Sequence, residues 1–248
     1  MIVKRFTGAL RRQDWTAVAI EFLLVVLGIL IAFQINEWST ERQLRSERDA
    51  ASERLLAEAE QNVAYIRIGV TLQKQSIEEL SYALGQVQAG RWRTADQQRM
   101  VRGLQAVRSA LPLSPPTAVY DDLIASGVFG KIDDVRLRSA IAKYRATLKF
   151  HSEVVSHARA MMPALEDHAA LHYIFTAKGR QRVRLDVDFD ALSKDQLLQE
   201  KLALLADGQR VRLLITQRAL KGASVMCVEL GRFVGRRCNL DLPPPTFD

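Results

Sequence analysis

One carboxylate, Glu21, lies inside an apolar run. Between Ala17 and Ile35 its only strongly polar companion is Gln34, and Phe22 to Phe33 carry no polar side chain. An ionisable group in such a setting serves, by default, a proton relay or the pairing of helices. Gly28 and Ala32 follow as a small-xxx-small pair that lets two helices approach closely. Glu21 also stands within two turns of the end of the run, where a carboxylate reaches the membrane interface, stays protonated or hydrogen-bonds a neighbouring helix. That structural reading is preferred over the catalytic or conductive one.

The four histidines, His151, His157, His168 and His172, fall on a stretch that reads as one long helix. His168 and His172 are four apart, with Glu166 and Asp167 before them, so a metal or heme site can be drawn on one helical face. Zinc catalysis of the His-Glu-x-x-His type needs Glu at the second position, and His168-Ala169-Ala170-Leu171-His172 lacks it. His151 occupies an apolar-row position, which suits a hydrogen-bonded core histidine. The expectation is no metal and no cofactor, with His168 and His172 as weak candidates.

Cys227 and Cys238 are separated by a stretch that contains Gly231 and Gly235. On an unbroken helix they would lie about 16 Å apart, beyond bridging distance. A disulfide requires the chain to turn back near the glycines, and bridge and separate thiols both stay open. No phosphate loop, nucleophile elbow or cysteine cluster is present, so no catalytic residue and no enzyme activity are expected. Asp121, Asp122, Asp133 and Asp134 look like paired carboxylates but fall where caps and turns need them. Arg180, Arg182 and Arg184, with Arg232, Arg236 and Arg237, offer charge to anionic headgroups or polymers; a solvated face is the plainer reading.

The elements that must position these groups begin with the apolar run itself. From Trp15 to Trp38 it is long enough to cross a bilayer, with an indole at each end. A buried helix of a soluble protein seldom carries so long an uncharged stretch. A cleaved signal peptide would end in small residues, whereas this run passes into Gln34, Ile35, Asn36, Glu37 and Trp38. The segment therefore reads as an uncleaved signal anchor. Lys4, Arg5, Arg11 and Arg12, opposed by Asp14, place the N-terminus in the cytoplasm by the positive-inside rule. The expected order is a basic cytoplasmic tail (1–14), a transmembrane anchor (15–38) and an extracytoplasmic helical domain (39–248).

Composition fits an anchored globular protein: 248 residues, 48% hydrophobic and 25% charged, with a net charge of +7. The mild positive excess suits lipid or envelope polymers and is weak ground for nucleic acid, since no aromatic-rich basic motif accompanies it. Leu55, Ala59, Val63, Ile66, Val70, Gln73, Ile77, Leu80, Leu84 and Val87 form one helical row, ended by Gly90. A shorter row, Met100, Leu104, Val107 and Leu111, stops at Pro112. The connector Ser114-Pro115-Pro116-Thr117 offers a cap to a helix through Val119, Tyr120, Leu123 and Ile124.

Asp133 is the expected N-cap of a second long helix through Leu137, Ile141, Tyr144, Leu148, His151, Val155, Ala158 and Met162. Pro163 kinks or restarts it, Leu165, Ala169 and His172 carry its face on toward Phe175, and Gly179 caps its end. Residues 182–189 alternate strictly and read as an extended connector, since a lone strand has no ladder. Ser193 and Gln196 suggest a capping box for a helix with Leu197, Leu198, Leu202 and Leu205. Gly208 separates it from a last helix through Val211, Leu214, Ile215 and Val225. The fold class is all-α: a transmembrane helix continuing into an antiparallel bundle.

Two stretches resemble a group of bacterial single-pass membrane proteins known mainly as domains of unknown function. One is the anchor from Ile20 to Trp38, with its order of Glu21, Gly28, Gln34, Asn36 and Trp38; the other is Tyr120-Asp121-Asp122-Leu123-Ile124-Ala125-Ser126-Gly127 with Ile132 and Leu137. Glu37 stands where that group has a second Asn. The resemblance implies a topology in the bacterial inner membrane and implies no chemistry. The chain is expected to act by interaction, touching membrane lipid and pairing as a homo-oligomer, coiled coil or accessory subunit of a periplasmic envelope complex. The alternative is a proton- or ion-coupled oligomer using Glu21.

Overall fold

The computed structural model describes residues 15–107, 113–160, 165, 168–175 and 183–243. The expectations placed on the basic tail, on Leu111 and Pro112, on Met162, Pro163, Glu166 and Asp167, and on Gly179, Arg180 and Arg182 lie outside them. The elements are α1 (Trp15–Gln88), α2 (Thr94–Ala106), α3 (Ala118–Ala125), a 3-10 turn (Val128–Lys131), α4 (Val135–Ala160), β1 (Leu171–Phe175), β2 (Val183–Val187), α5 (Phe189–Lys194) and α6 (Gln196–Val234).

The chain divides between Ala51 and Ser52 into two units. In the first, α1 is bare: Phe22, Leu24, Phe33, Ile35 and Trp38 are all exposed, Phe22 to 70%. Its most apolar window has a mean hydropathy of 2.2, and α1 is the one helix among the described residues long and apolar enough to cross a membrane. Where the apolar run ends, Arg42 stacks over the Trp38 ring at 5.4 Å, and Arg45 pairs with Glu41 one turn away.

In the second unit, an antiparallel helical bundle, α1 is enclosed almost all round from Leu55 to Ile66. The row continues as expected, with Leu55, Ala59, Val63, Ile66, Val70, Leu80 and Val87 buried. Glu58, Glu60 and Asn62 are buried as well, so each must find a partner. The Glu58 carboxylate accepts from the backbone N–H of Val119 (2.7 Å) and of Tyr120 (3.4 Å), closing the first turn of α3 from a distant helix. Thr117, expected to cap that helix, instead donates its hydroxyl to Asp121. Asn62 donates to the Pro116 carbonyl, and Glu60 accepts from the Asn239 N–H beyond α6. Burial pushes Glu58 above the usual carboxylate range, against the pull of its two backbone donors.

Helix α2 folds back along the end of α1 at close range. A Cβ on Gly103 would sit 2.4 Å from the Glu79 carbonyl oxygen, so only glycine fits there. Gly90, at φ 61°, makes the preceding turn. Helices α4 and α6 pair along much of their length. Asp134 meets Arg232, Tyr144 lies against Gly222 and His151 meets Thr216, one number rising as the other falls, which is antiparallel packing.

Several expectations are corrected. Asp134, not Asp133, caps α4, accepting from the N–H groups of Arg136 and Leu137; these donors, foremost that of Leu137, hold its carboxyl below the usual range. Leu171 to Phe175 form β1 rather than more of the second long helix. They supply the partner that the alternating segment needs, with Leu171 opposite Val187 and Phe175 opposite Val183. Residues 183–187 are thus a strand, not a connector. Leu171 and Leu185 point into a core with Leu80, Leu104, Phe189, Leu192 and Leu202, while His172 and Arg184 face outward. Asp188 and Asp195 cap α5 and α6 in place of a Ser193–Gln196 box. Helix α6 runs through Gly208 without a break.

Candidate functional site

The α4–α6 seam carries a buried polar network of His151, Gln209, Arg212 and Thr216. His151 Nε2 lies 3.1 Å from Thr216 Oγ1, and that hydroxyl gives its single proton to the Arg212 carbonyl oxygen at 3.0 Å. The hydroxyl must then accept from His151, which puts the imidazole proton on Nε2 and leaves Nδ1 as a buried acceptor without a partner. Arg212 donates to the Gln209 side-chain oxygen, and Gln209 passes the chain on to the Val107 carbonyl at 2.9 Å.

Arg212 is buried, makes no ion pair among the described residues and leaves Nε without an acceptor. Burial, then the nearby Arg159 charge, lowers its pKa. Burial and, secondarily, the Arg212 charge hold His151 below the ordinary histidine value, so the imidazole is neutral. Tyr144, two turns before His151, has a buried hydroxyl without a partner and a pKa raised chiefly by burial. The network pins the register of α4 on α6 and ties both to the end of α2. None of its groups is accessible to a substrate. Of these residues the sequence pattern marks Tyr144 and His151, as members of the apolar row of α4; Gln209, Arg212 and Thr216 carry no local signal.

The other expected sites are placed as follows. His151 and His157 lie on α4, but His168 stands in the turn before β1 and His172 on β1. The last two therefore share no helical face. His168 Nδ1 lies 2.7 Å from Asp195 Oδ2, and Nε2 lies 2.9 Å from Lys201 Nζ, so the ring bridges the cap of α6 to its second turn. The backbone N–H of Leu198 and then His168 lower the Asp195 pKa. His172 is exposed and pairs across the sheet with Asp186.

Among the expected basic cluster, Arg232 binds Asp134 and Glu229, and Arg236 binds Glu60, so two of the three charges near the C-terminus serve internal contacts. The open cleft lined by Val228, Gly231, Arg232, Gly235, Arg236, Arg237 and Cys238 encloses about 420 Å³. Cys227 and Cys238 are bridged, with Cα atoms 5.6 Å apart. The chain turns at Gly235, at φ 78°, and a Cβ on Gly231 would lie 2.5 Å from the Arg236 carbonyl oxygen. After the turn, Arg67 on α1 donates to the Leu240 carbonyl.

On the first unit Glu21 and Ala32 are exposed, and among the described residues nothing lies within 4 Å of a Cβ built on Gly28. Glu21, Gly28 and Ala32, at steps of seven and four, share one face. Comparisons with protein-family models, curated proteins and solved structures found no match for this chain.

Proposed function

We propose that this chain is a membrane-anchored helical-bundle protein of the bacterial inner membrane. Its N-terminus is cytoplasmic, its bundle is periplasmic, and it works by protein interaction as a homo-oligomer or accessory subunit of an envelope complex. The observation that carries this reading is the bare apolar stretch of α1, whose side chains are fully satisfied only by lipid or by another membrane helix. The Cys227–Cys238 bridge supports an oxidising compartment for the bundle. Every strong polar cluster inside the bundle closes a turn or fixes a register, which favours interaction over catalysis. The resemblance of the anchor to uncharacterised single-pass proteins supports the same topology. Purified in mild detergent, the chain is expected to run as an oligomer or with a co-purifying envelope protein. A strictly monomeric, partner-free species would refute the proposal.

One observation favours a second reading, a proton- or ion-coupled oligomer. The face that carries Glu21 also carries Gly28 and Ala32, so close pairing of anchors there would bring carboxylates of several copies together. Glu21→Gln separates the readings: unchanged ion flux across vesicles sinks the coupled component and leaves the interaction protein standing.

A further inference from the structure

The outward face of α6 carries a heptad repeat that none of the described residues covers. We propose that it is the surface through which two copies of this chain pair, with their α6 helices antiparallel about a twofold axis at the level of Val211 and Leu214. The inference rests on the reading of the chain as an interaction protein and names its surface and partner.

Leu197, Leu204, Val211, Leu214, Val225 and Val228 lie along α6 on one seam, with Glu200, Asp207, Arg218 and Lys221 filling it to alternating steps of three and four. All of them are exposed, Leu204 to 67% and Leu214 to 58%. The opposite face, through Leu198, Leu202, Ala206, Gln209, Arg212, Ile215, Ala219, Ala223 and Leu230, is the one buried in the bundle. A solvated helix keeps its outer face polar; α6 sets six exposed apolar side chains on its outer seam among charged ones. The outer spacing alternates three and four, the coiled-coil seam, which drifts ~20° per heptad on a straight helix and is followed by a partner helix supercoiling left-handed around it.

Charge chooses the partner and its direction. The polar positions of the seam are acidic in the first half, Glu200 and Asp207, and basic in the second, Arg218 and Lys221. A parallel copy in register would set each of these against its own like charge. An antiparallel copy sets Asp207 against Arg218 on both sides of a central pair of Val211–Leu214 layers. Leu204 then meets the aliphatic stem of Lys221, whose ammonium lies between Glu200 and Asp207, and Leu197 meets Val228 at each end. Asp207, Arg218 and Lys221 make no ion pair within the chain among the described residues, so all three are free for this exchange.

The test is cysteine cross-linking of the full chain in native membranes and in detergent. Leu204→Cys and Lys221→Cys, on separately tagged copies, are expected to form a mixed disulfide on mild oxidation, while neither variant links to itself. Val225→Cys linking to itself would indicate a parallel seam and overturn the proposal. Asp207→Arg and Arg218→Asp should each raise the dimer dissociation constant at least tenfold, and the double reversal should restore it. An oligomer that forms without the mixed cross-link refutes this surface and leaves the interaction reading intact. A chain that is monomeric and partner-free refutes both, and capture of a different helix at Leu204 refutes the self-pairing alone.

Discussion

His151 is buried in the α4–α6 seam with one ring nitrogen bonded to Thr216 and the other without a partner. Burial and the Arg212 charge disfavour its protonation in the native state. The unfolded chain takes up a proton near 6.5, whereas the native chain resists until lower pH, so the unfolded state binds more protons in that window. Stability attributable to His151 is therefore full above pH 6.5 and falls as pH drops toward the depressed value, by up to about 1.4 kcal/mol per pH unit. Glu58 acts with the opposite sign: its raised pKa lets the native state protonate first, which favours folding on acidification from neutral pH. Asp134 and Asp195, both lowered, lose their contributions only below the ordinary carboxylate range. Denaturation of the wild type and of His151→Gln between pH 7.5 and 5 isolates the imidazole. Parallel stability curves for the two proteins would show that the seam does not hold His151 neutral.

At the scale of elements, the last helix is closed by three devices that act together: Gly235 in the left-handed region, close passage over Gly231, and the Cys227–Cys238 bridge. The returning segment then delivers the Asn239 N–H to Glu60 and the Leu240 carbonyl to Arg67. Cys227→Ser with Cys238→Ser is expected to cost about 2–3 kcal/mol, the value for a short closed loop, and to expose residues after Gly235 to protease before the bundle unfolds. Equal protease resistance in the two proteins would show that Glu60 and Arg67 suffice. From the sequence, bridge and separate thiols stay equally open at the glycines, and the folded chain forms the bridge; the rows on α1 and α4 were legible because apolar residues recur along each at steps of three and four. Other elements were not legible, for physical reasons. Leu165, Ala169 and His172 fit helical spacing by accident, and only pairing with residues 183–187 makes 171–175 a strand. Gly208 interrupts nothing because a helical glycine costs only about 1 kcal/mol and packing on both sides offsets it. Of Val211, Leu214, Ile215 and Val225, read as one row, only Ile215 is buried; the other three face outward, and the buried face of α6 also takes in Gln209, Arg212 and Thr216, which no apolar pattern marks. Glu58 capping α3 is a contact between distant segments that no local pattern encodes.

At the scale of the whole molecule, the proposed membrane anchoring gives the two units different solvents. Among the described residues the buried set begins at Ala51, and the described side chains of the apolar stretch are exposed. Conversely, the interior of the bundle is complete without lipid, with Leu55, Ile66, Leu80, Ile141, Leu192 and Leu198 all closed off by other side chains. Anchoring and folding are therefore expected to be separable by mutation. Leu24→Arg with Leu27→Arg places two guanidinium groups near the centre of the span, each costing about 2.5–3.5 kcal/mol on insertion scales. The doubly substituted chain should be released from membranes by alkaline wash, while the wild type stays in the pellet. Its thermal unfolding, followed by helical circular dichroism, should keep the wild-type midpoint to within a few degrees, because none of the groups that close the bundle has been touched. Retention of the variant in the pellet would mean that the stretch does not hold the chain in the membrane. Release together with a collapsed midpoint would mean that residues before Ser52 support the bundle after all.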